Sequence, residues 1–546
     1  MNKKQNKNNT LLLGGLTSTA GLFITKAIGL LYVAPFRAMV GSENYVYYAA
    51  GYELYELILT ISLAGLPFAI AAIVSKYMEK KDYKTVMLLK KISHGLLGVF
   101  GFIGATAIFI FINSIISTRG SISQEQAIIY RNIYLIMSLS IFTVPLLSSY
   151  RGFFQGIKDF KSYSISQIVE QISRVSFLLG LGAIAIYVFN TDRIWGIYIA
   201  LVATAISAVT AILYLAVYKT YRIKEIQDLA NKQNSEALET KILVKELFKF
   251  AIPYLISVVL TSRIGFTNML LLPNSLQSFG YDTQTTQIYT SLITNETLKL
   301  MSIPVVFSAG FSIAIIPQMS EALVKNDHNV IQRDIILALE SVLYIGLPIL
   351  CAMFFLSDEV YFALFSGSKE IIEMGGSVLK VQVLGAIIGN LMPVVNSLTM
   401  TLNLRRQTIG VLAFAFIFNF LVFRIMVLKF GWSGSILSHI VSNSIIIFYS
   451  LFLVKTKYNV NFKYTFRKIL FMVIGLAAMS LVYYLLRLVG LDVIGLGRFM
   501  GLFTLGIYTA AMLGAYMVVT NMLYLPQSIL SIDLKEIFMK VIRKWD

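Results

Sequence analysis

The chain has 546 residues, 57% hydrophobic and 14% charged, with a mean hydropathy of +0.74. Soluble domains carry about 45–50% apolar and about 25% charged residues, so a water-soluble enzyme is excluded. The 46 Lys and Arg against 28 Asp and Glu give +18, a surplus that in a membrane protein has to be tested first as a topology signal.

A hydrocarbon core of about 30 Å needs roughly 20 apolar residues in a helix. Fourteen such stretches follow one another, near 11–36, 49–75, 93–117, 132–154, 165–189, 194–218, 250–272, 288–318, 335–357, 376–402, 408–428, 434–454, 469–486 and 499–522. They are apolar on all faces and lack the alternation of barrel strands, which predicts an all-α integral membrane protein with 14 transmembrane helices. After Lys3, Lys4 and Lys7 the apolar run from Leu11 is too long for a cleavable signal peptide.

The connections test the topology. With the N-terminus inside, the even-numbered connections and both tails hold 31 of the 46 basic residues, the odd-numbered connections hold eight, and seven lie within spans. That asymmetry places both termini in the cytoplasm of a multi-pass plasma-membrane protein and leaves nucleic-acid binding without support. The 13% aromatic content suits lipid-facing and interfacial positions better than base stacking. Cys351 stands alone and there are three histidines, which excludes an intrachain disulfide and leaves little for a metal site. Segment 219–249 is charged and helix-compatible, so it reads as a cytoplasmic linker between an N-terminal lobe, 1–218, and a C-terminal lobe, 250–457. Residues 458–525 supply two further helices, and 526–546 reads as an amphipathic tail.

Weak internal symmetry supports that division. Gly65-Leu-Pro-Phe-Ala-Ile-Ala-Ala-Ile-Val-Ser75 and Gly310-Phe-Ser-Ile-Ala-Ile-Ile-Pro-Gln-Met-Ser320 share Gly, Ala, Ile and Ser at an offset of 245. Pro145-Leu-Leu-Ser-Ser149 and Pro393-Val-Val-Asn-Ser397 repeat at 248. Each match pairs span n with span n+6, so two six-helix lobes are expected to be related by a parallel pseudo-twofold, with two helices left over.

Ionisable residues inside spans are costly, and they mark cavities or partners. At 1.5 Å per residue, Lys26 lies about 22 Å along the first span, Arg263 about 20 Å along the seventh and Lys299 about 17 Å along the eighth. Converging in a water-filled cleft they would bind an anion such as phosphate; the plainer reading is that each snorkels or pairs alone. Glu53 and Glu56 are spaced i,i+3 within reach of Arg37, as an outer gate, a cation-coupling site or a structural pair. Glu170 and Arg174 are spaced for an i,i+4 ion pair, and Glu296 precedes Lys299 by three.

At the fourth and fifth spans, Tyr150-Arg-Gly-Phe-Phe-Gln-Gly156 followed by Ser166-Gln-Ile-Val-Glu170-Gln171 and Arg174 resembles the RGxxQG…SQxxEQxxR pattern of the Gram-positive MurJ/SpoVB-like lipid II flippases of the MOP exporter superfamily. Ser62-Leu-Ala-Gly-Leu-Pro67 with Ser75-Lys76-Tyr77, Pro273-Asn-Ser-Leu-Gln-Ser-Phe-Gly-Tyr281 and Ile316-Pro-Gln-Met-Ser-Glu321 extend the resemblance over most of the chain. It implies two lobes around a cationic cavity, a groove at the last two helices for a polyprenyl tail, and alternating-access transport of an undecaprenyl-diphosphate peptidoglycan precursor. Lys26 and Lys299 fall where the family has arginines, and Tyr32 where it has another, so Arg263 and Arg37 become candidates for the missing contact. Arg151 and Gln155 join Glu170 and Arg174 as gate or ion-pair residues. The expected partners are the polyprenyl-diphosphate lipid and membrane lipids, with a monomer working near cell-wall enzymes. No cofactor is expected beyond an unassigned coupling cation or the membrane potential. A flippase for another polyprenyl-linked saccharide, a MATE-type cation or drug antiporter, and a membrane glycosyltransferase are the competing readings; the last would need a larger outer loop than 358–375.

Overall fold

The computed structural model describes residues 31–530 except 65, 219, 303, 306–307, 309–318, 320–322, 324–326, 366, 491–492 and 495–497, together with 25 and 28–29. Every regular element among them is a helix. Ten helices are long and apolar enough to cross a membrane, and each coincides with one of the expected spans. These are α4 (Tyr83–Ser117), α5 (Gln124–Gly156), α6 (Phe160–Ala183, extended by a π-turn to Val188) and α7 (Ile194–Leu213, extended by a second π-turn). Beyond these come α12 (His328–Phe355), α14 (Lys369–Gly389) with α15 (Met392–Thr401), α16 (Arg405–Phe430), α17 (Trp432–Tyr458), α18 (Lys463–Leu488) and α19 (Arg498–Met522).

The other four expected spans are not single helices over the described residues. The second is described as α2 (Ser42–Ala64) and α3 (Leu66–Glu79), position 65 lying outside the described residues. The seventh is α9 (Thr240–Thr261) and α10 (Arg263–Phe279). At that break Thr261 Oγ1 donates back to the carbonyls of Ser257 and Val258, both at 3.0 Å, a back-bond that bends helices. The eighth begins as α11 (Thr283–Ser291) and a π-turn, Leu292–Glu296. Of the first, α1 (Val33–Val40) is described. The repeat segment 310–320 and the motif 316–321 lie outside the described residues except for Met319, as does Lys26. Of the expected tail, a short α20 (Leu525–Leu530) is described and 531–546 is not. The two prolines of the second repeat match also differ in setting: Pro145 lies inside continuous α5, whereas Pro393 opens α15 after a turn at Asn390.

Local chemistry fixes the helix starts. Asp82, Asp159 and Asp327 accept from the backbone N–H of Thr85, Ser162 and Val330, and Ser123 forms a capping box with Gln126. Lys81 and Lys158, just before two of the aspartates, adopt left-handed backbone (φ 60° and 62°), turning the chain sharply into α4 and α6.

Two compact units result, residues 1–295 with Val427–Lys429, and the remainder. In the first, α5 runs between α4 and α7 and also packs on α2 and α3, while α8 (Thr220–Asn231) lies along α4 with Ile223, Ile226 and Ala230 buried. Exposed Phe102, Ile103, Phe109, Ile110 and Phe111 on α4 form the apolar surface a lipid environment requires. In the second unit, α12 packs on α15 and α17 through Ile335, Leu339, Val395 and Val454, and α18 and α19 pack on α12 through Tyr344, Met472, Met479 and Tyr516. Ion pairs fasten α18 at both ends: Lys468 to Glu340 of α12 at 2.7 Å, and Arg487 to Glu359 of α13 (Ser357–Phe365). Both pairs bridge the same sequence separation of 128 positions, so α18 runs in the same direction as the α12–α13 segment. Glu340 is fully buried.

Candidate functional site

The RGFFQG segment ends α5, and its glycines come first. A Cβ on Gly152 would lie 2.8 Å from the Pro67 carbonyl oxygen, and one on Gly156 would lie 2.6 Å from Val74 Cβ. Both glycines therefore let α5 touch the backbone of α3. That contact fixes the last turns of α5, and with them the side chain of Arg151.

Arg151 Nη2 donates to Glu170 Oε2 at 2.7 Å and its Nε to Ser166 Oγ at 3.2 Å. Arg174 Nη2 donates to the other carboxylate oxygen of Glu170 and to Tyr55 Oη at 3.0 Å, with its Nε 3.5 Å from Ser207 Oγ. The Arg174 guanidinium also lies over the Tyr55 ring at 5.5 Å. Two buried guanidiniums thus share one buried carboxylate, and hydroxyls from α2, α6 and α7 take up further donors. The spacing of Glu170 and Arg174 foretold their pair and the resemblance added Arg151, but only the fold adds Tyr55, Ser166 and Ser207. Gln155 is half-buried, one turn beyond Arg151.

Tyr55 is one of four tyrosines on a single face of α2. Tyr45, Tyr48, Tyr52 and Tyr55 follow at 3-4-3 spacing with successive ring centroids 5.5–5.6 Å apart. Tyr48 Oη lies 2.9 Å from Tyr32 Oη, and Tyr45 donates to Asn295 Oδ1 at 3.0 Å. Arg37 is buried with its guanidinium 5.6 Å from the Tyr45 ring centre and its Nε donating to Ser42 at 3.3 Å. The ladder was visible as spacing in the sequence.

Glu53 has a partner the sequence reading missed. The ion pair it forms is with Arg119 of the third connection, at 2.9 Å, and Arg119 Nε donates to Tyr134 Oη at 2.7 Å. The expectation that Arg37 would serve Glu53 is corrected: a residue in the third connection folds back into the helices. Both members are buried, whereas Glu56 is half-buried one turn along α2.

Arg263 is 1% exposed at the start of α10, where the seventh span breaks. Lys299 is half-buried and belongs to the second unit, as does Glu296, whose carboxylate accepts from Tyr361. Among the described residues no group of three or more His, Cys, Asp or Glu could hold a metal ion.

At the basic end of the first unit the linker is clasped. Lys76 and Tyr77 donate to the two oxygens of Glu246 at 2.5 and 2.9 Å, Gln233 bonds Asp82, and Leu238 N donates to Thr85 Oγ1. Burial would raise the Glu246 carboxyl, but the hydrogen bonds from Lys76 and Tyr77 outweigh it and hold it below the usual carboxylate range.

Residues 11–277 match the family described as polysaccharide biosynthesis protein. The chain is 26% identical over 374 residues to the lipid II flippase MurJ of Bacillus subtilis (strain 168), covering 68% of each chain. The chain resembles membrane transporters of the MurJ type. The chain is also 22% identical over 362 residues to the stage V sporulation protein B of the same organism, covering 66% of this chain and 67% of the relative. Among solved structures, a lipid II flippase MurJ in an inward closed conformation superposes with a TM-score of 0.65 at 16% identity, over 93% of this chain and 99% of the other. An inward-facing multidrug MATE transporter gives 0.65 at 13% identity over 79% and 95%. These neighbours are transporters and flippases rather than enzymes.

Proposed function

We propose that the chain is a MurJ-type transporter, a flippase that carries undecaprenyl-diphosphate-linked peptidoglycan precursor, lipid II, from the inner to the outer leaflet by alternating access. The likeness to the Bacillus subtilis lipid II flippase over 374 residues carries the reading. On it, fourteen helices form two six-helix lobes and an added pair, with both termini in the cytoplasm. Lys26 and Lys299, with Arg263 and Arg37, receive the diphosphate as point charges, since lysine binds phosphate without the bidentate geometry of arginine. The Arg151–Glu170–Arg174 group, with Gln155, holds the first lobe rigid, and Glu53 and Glu56 act at the outer gate. The prenyl tail lies along α18 and α19. A coupled cation or the membrane potential resets the empty monomer.

The test is lipid II translocation in reconstituted vesicles. Lys26→Ala and Lys299→Ala are each expected to lower the rate at least tenfold, with Lys→Arg retaining most of it; full activity in both alanine variants would sink the cationic site. A second reading, a flippase for another polyprenyl-linked saccharide, draws on the polysaccharide family match and the sporulation relative. Depletion in cells separates them: inner-leaflet lipid II accumulates on the first, and a capsule or spore polymer is lost on the second. The MATE reading is less favoured, because the MATE structure covers 79% of this chain against 93% for the flippase.

A further inference from the structure

The segment Pro273–Tyr281 has a structural partner that the transport reading leaves unused. It forms the end of α10 and the turn after it, and its Gln277 side chain meets a single residue of the turn between α4 and α5. Gln277 Oε1 accepts from Ser121 N at 2.6 Å while Gln277 Nε2 donates to Ser121 O at 3.1 Å. Thr283 Oγ1 donates to the same carbonyl at 3.0 Å, and Asn274 Nδ2 reaches Ser117 O at 3.5 Å. Gly120 makes the fit: its φ is +83°, and a Cβ there would lie 2.3 Å from Gln277 Oε1. The turn thus presents both backbone groups of Ser121 to one side-chain amide, as a strand presents them to a neighbour.

Glu246, in the linker residues that begin α9, is held to α3 by Lys76 and Tyr77. The α9–α10 segment is therefore fastened twice to earlier helices of its own unit, and the helix break at Ser262 lies between the fastenings. They differ in kind. The Glu246 clasp contains an ion pair, whereas the Gln277 contacts are neutral and solvent-exposed, so water can replace each of them as it parts.

We propose that Gln277 and Ser121 form a latch across the basic-poor side, which opens and recloses in each transport cycle while the Glu246 clasp stays shut. The timing rests on the alternating-access reading; the latch itself does not. Two measurements on the full chain test them separately. In hydrogen exchange the Ser121 amide is expected to be protected, and to exchange at least tenfold faster in Gln277→Ala and in Gly120→Ala, with the amides of 238–246 unchanged. Equal Ser121 exchange in wild type and Gln277→Ala would show that no latch exists. For the cycle, Cys351, the one native cysteine, is changed to Ser, and a Ser121→Cys/Gln277→Cys pair is bridged with a short bis-methanethiosulfonate linker. Bridging is expected to slow lipid II translocation at least tenfold and reductant to restore it, the single-cysteine variants serving as folding controls. Undiminished transport by the bridged protein would overturn the opening step. If the reduced protein moves no lipid II at all, the substrate reading fails, and a tenfold loss of Ser121 protection in Gln277→Ala still supports the latch.

Discussion

Replacing Glu170 with Gln removes one charge and almost no volume from the most heavily bonded group in the first unit. Glu170 is 9% exposed and gives one carboxylate oxygen to each of Arg151 and Arg174. A glutamine can accept from only one of them, and its NH2 then faces the donors of the other. Neither buried guanidinium then has a counter-charge, a loss of about 3–5 kcal/mol. The contacts that remain, Arg174 to Tyr55 and Arg151 to Ser166, are worth about 0.5–1.5 kcal/mol each net, so the expected loss is near the lower limit, about 3 kcal/mol. Unfolding by SDS titration followed by circular dichroism reads it directly. The comparison variant is Arg151→Met/Glu170→Leu/Arg174→Met, which removes all three charges and is expected to be more stable than Glu170→Gln, since apolar replacement of a buried ionic cluster is often neutral or better. Wild-type stability for Glu170→Gln, or a triple variant weaker than the single one, would refute the reasoning.

Gly152→Ala is expected to destabilise by about 1–3 kcal/mol, because the new methyl meets the Pro67 backbone of α3 rather than a side chain that can move; Gly98→Ala, with open space around it, is the control in the same titration. Lys468→Met leaves Glu340 buried and unpaired and should cost about 3–5 kcal/mol, much of it recovered in Lys468→Met/Glu340→Leu. Because the Glu246 carboxyl is held below its unfolded value, its contribution is present above that value, about 4.3, and is lost as pH falls through the depressed folded value. The stability gap between wild type and Glu246→Gln in urea should therefore be full at pH 7 and shrink below about pH 4, and a gap independent of pH would refute the clasp.

Long apolar runs made the ten continuous helices legible, since a bilayer imposes length and composition together. The break at 262 was not, because it comes from a local side-chain contact: Thr261 bonds back to its own helix. Within the candidate site, i,i+4 spacing carried Glu170 and Arg174. Arg119 was hidden because it sits in a connection and enters the fold only through the geometry of the turn. The fastening of α18 was missed for a related reason. Glu340, an acid five residues into the ninth span, has no basic residue at i,i+3 or i,i+4 spacing to mark its partner, and Lys468 reaches it from 128 positions away.

The two ion pairs of α18 also set a length. Lys468 and Arg487 are nineteen residues apart on the single helix α18, which at 1.5 Å per residue is about 28 Å, close to the hydrocarbon thickness of about 30 Å. The helix acts as a ruler with a charged mark at each end. A thicker bilayer would draw one mark into the acyl region, whereas a thinner one would leave apolar surface in water, and each ångström of misfit carries a modest cost. A helix that cannot slide past the α12–α13 segment without breaking a salt bridge cannot shorten to relieve it. The second unit should then meet a mismatched membrane by tilting as a block, so lipid chain length becomes a variable to which transport responds.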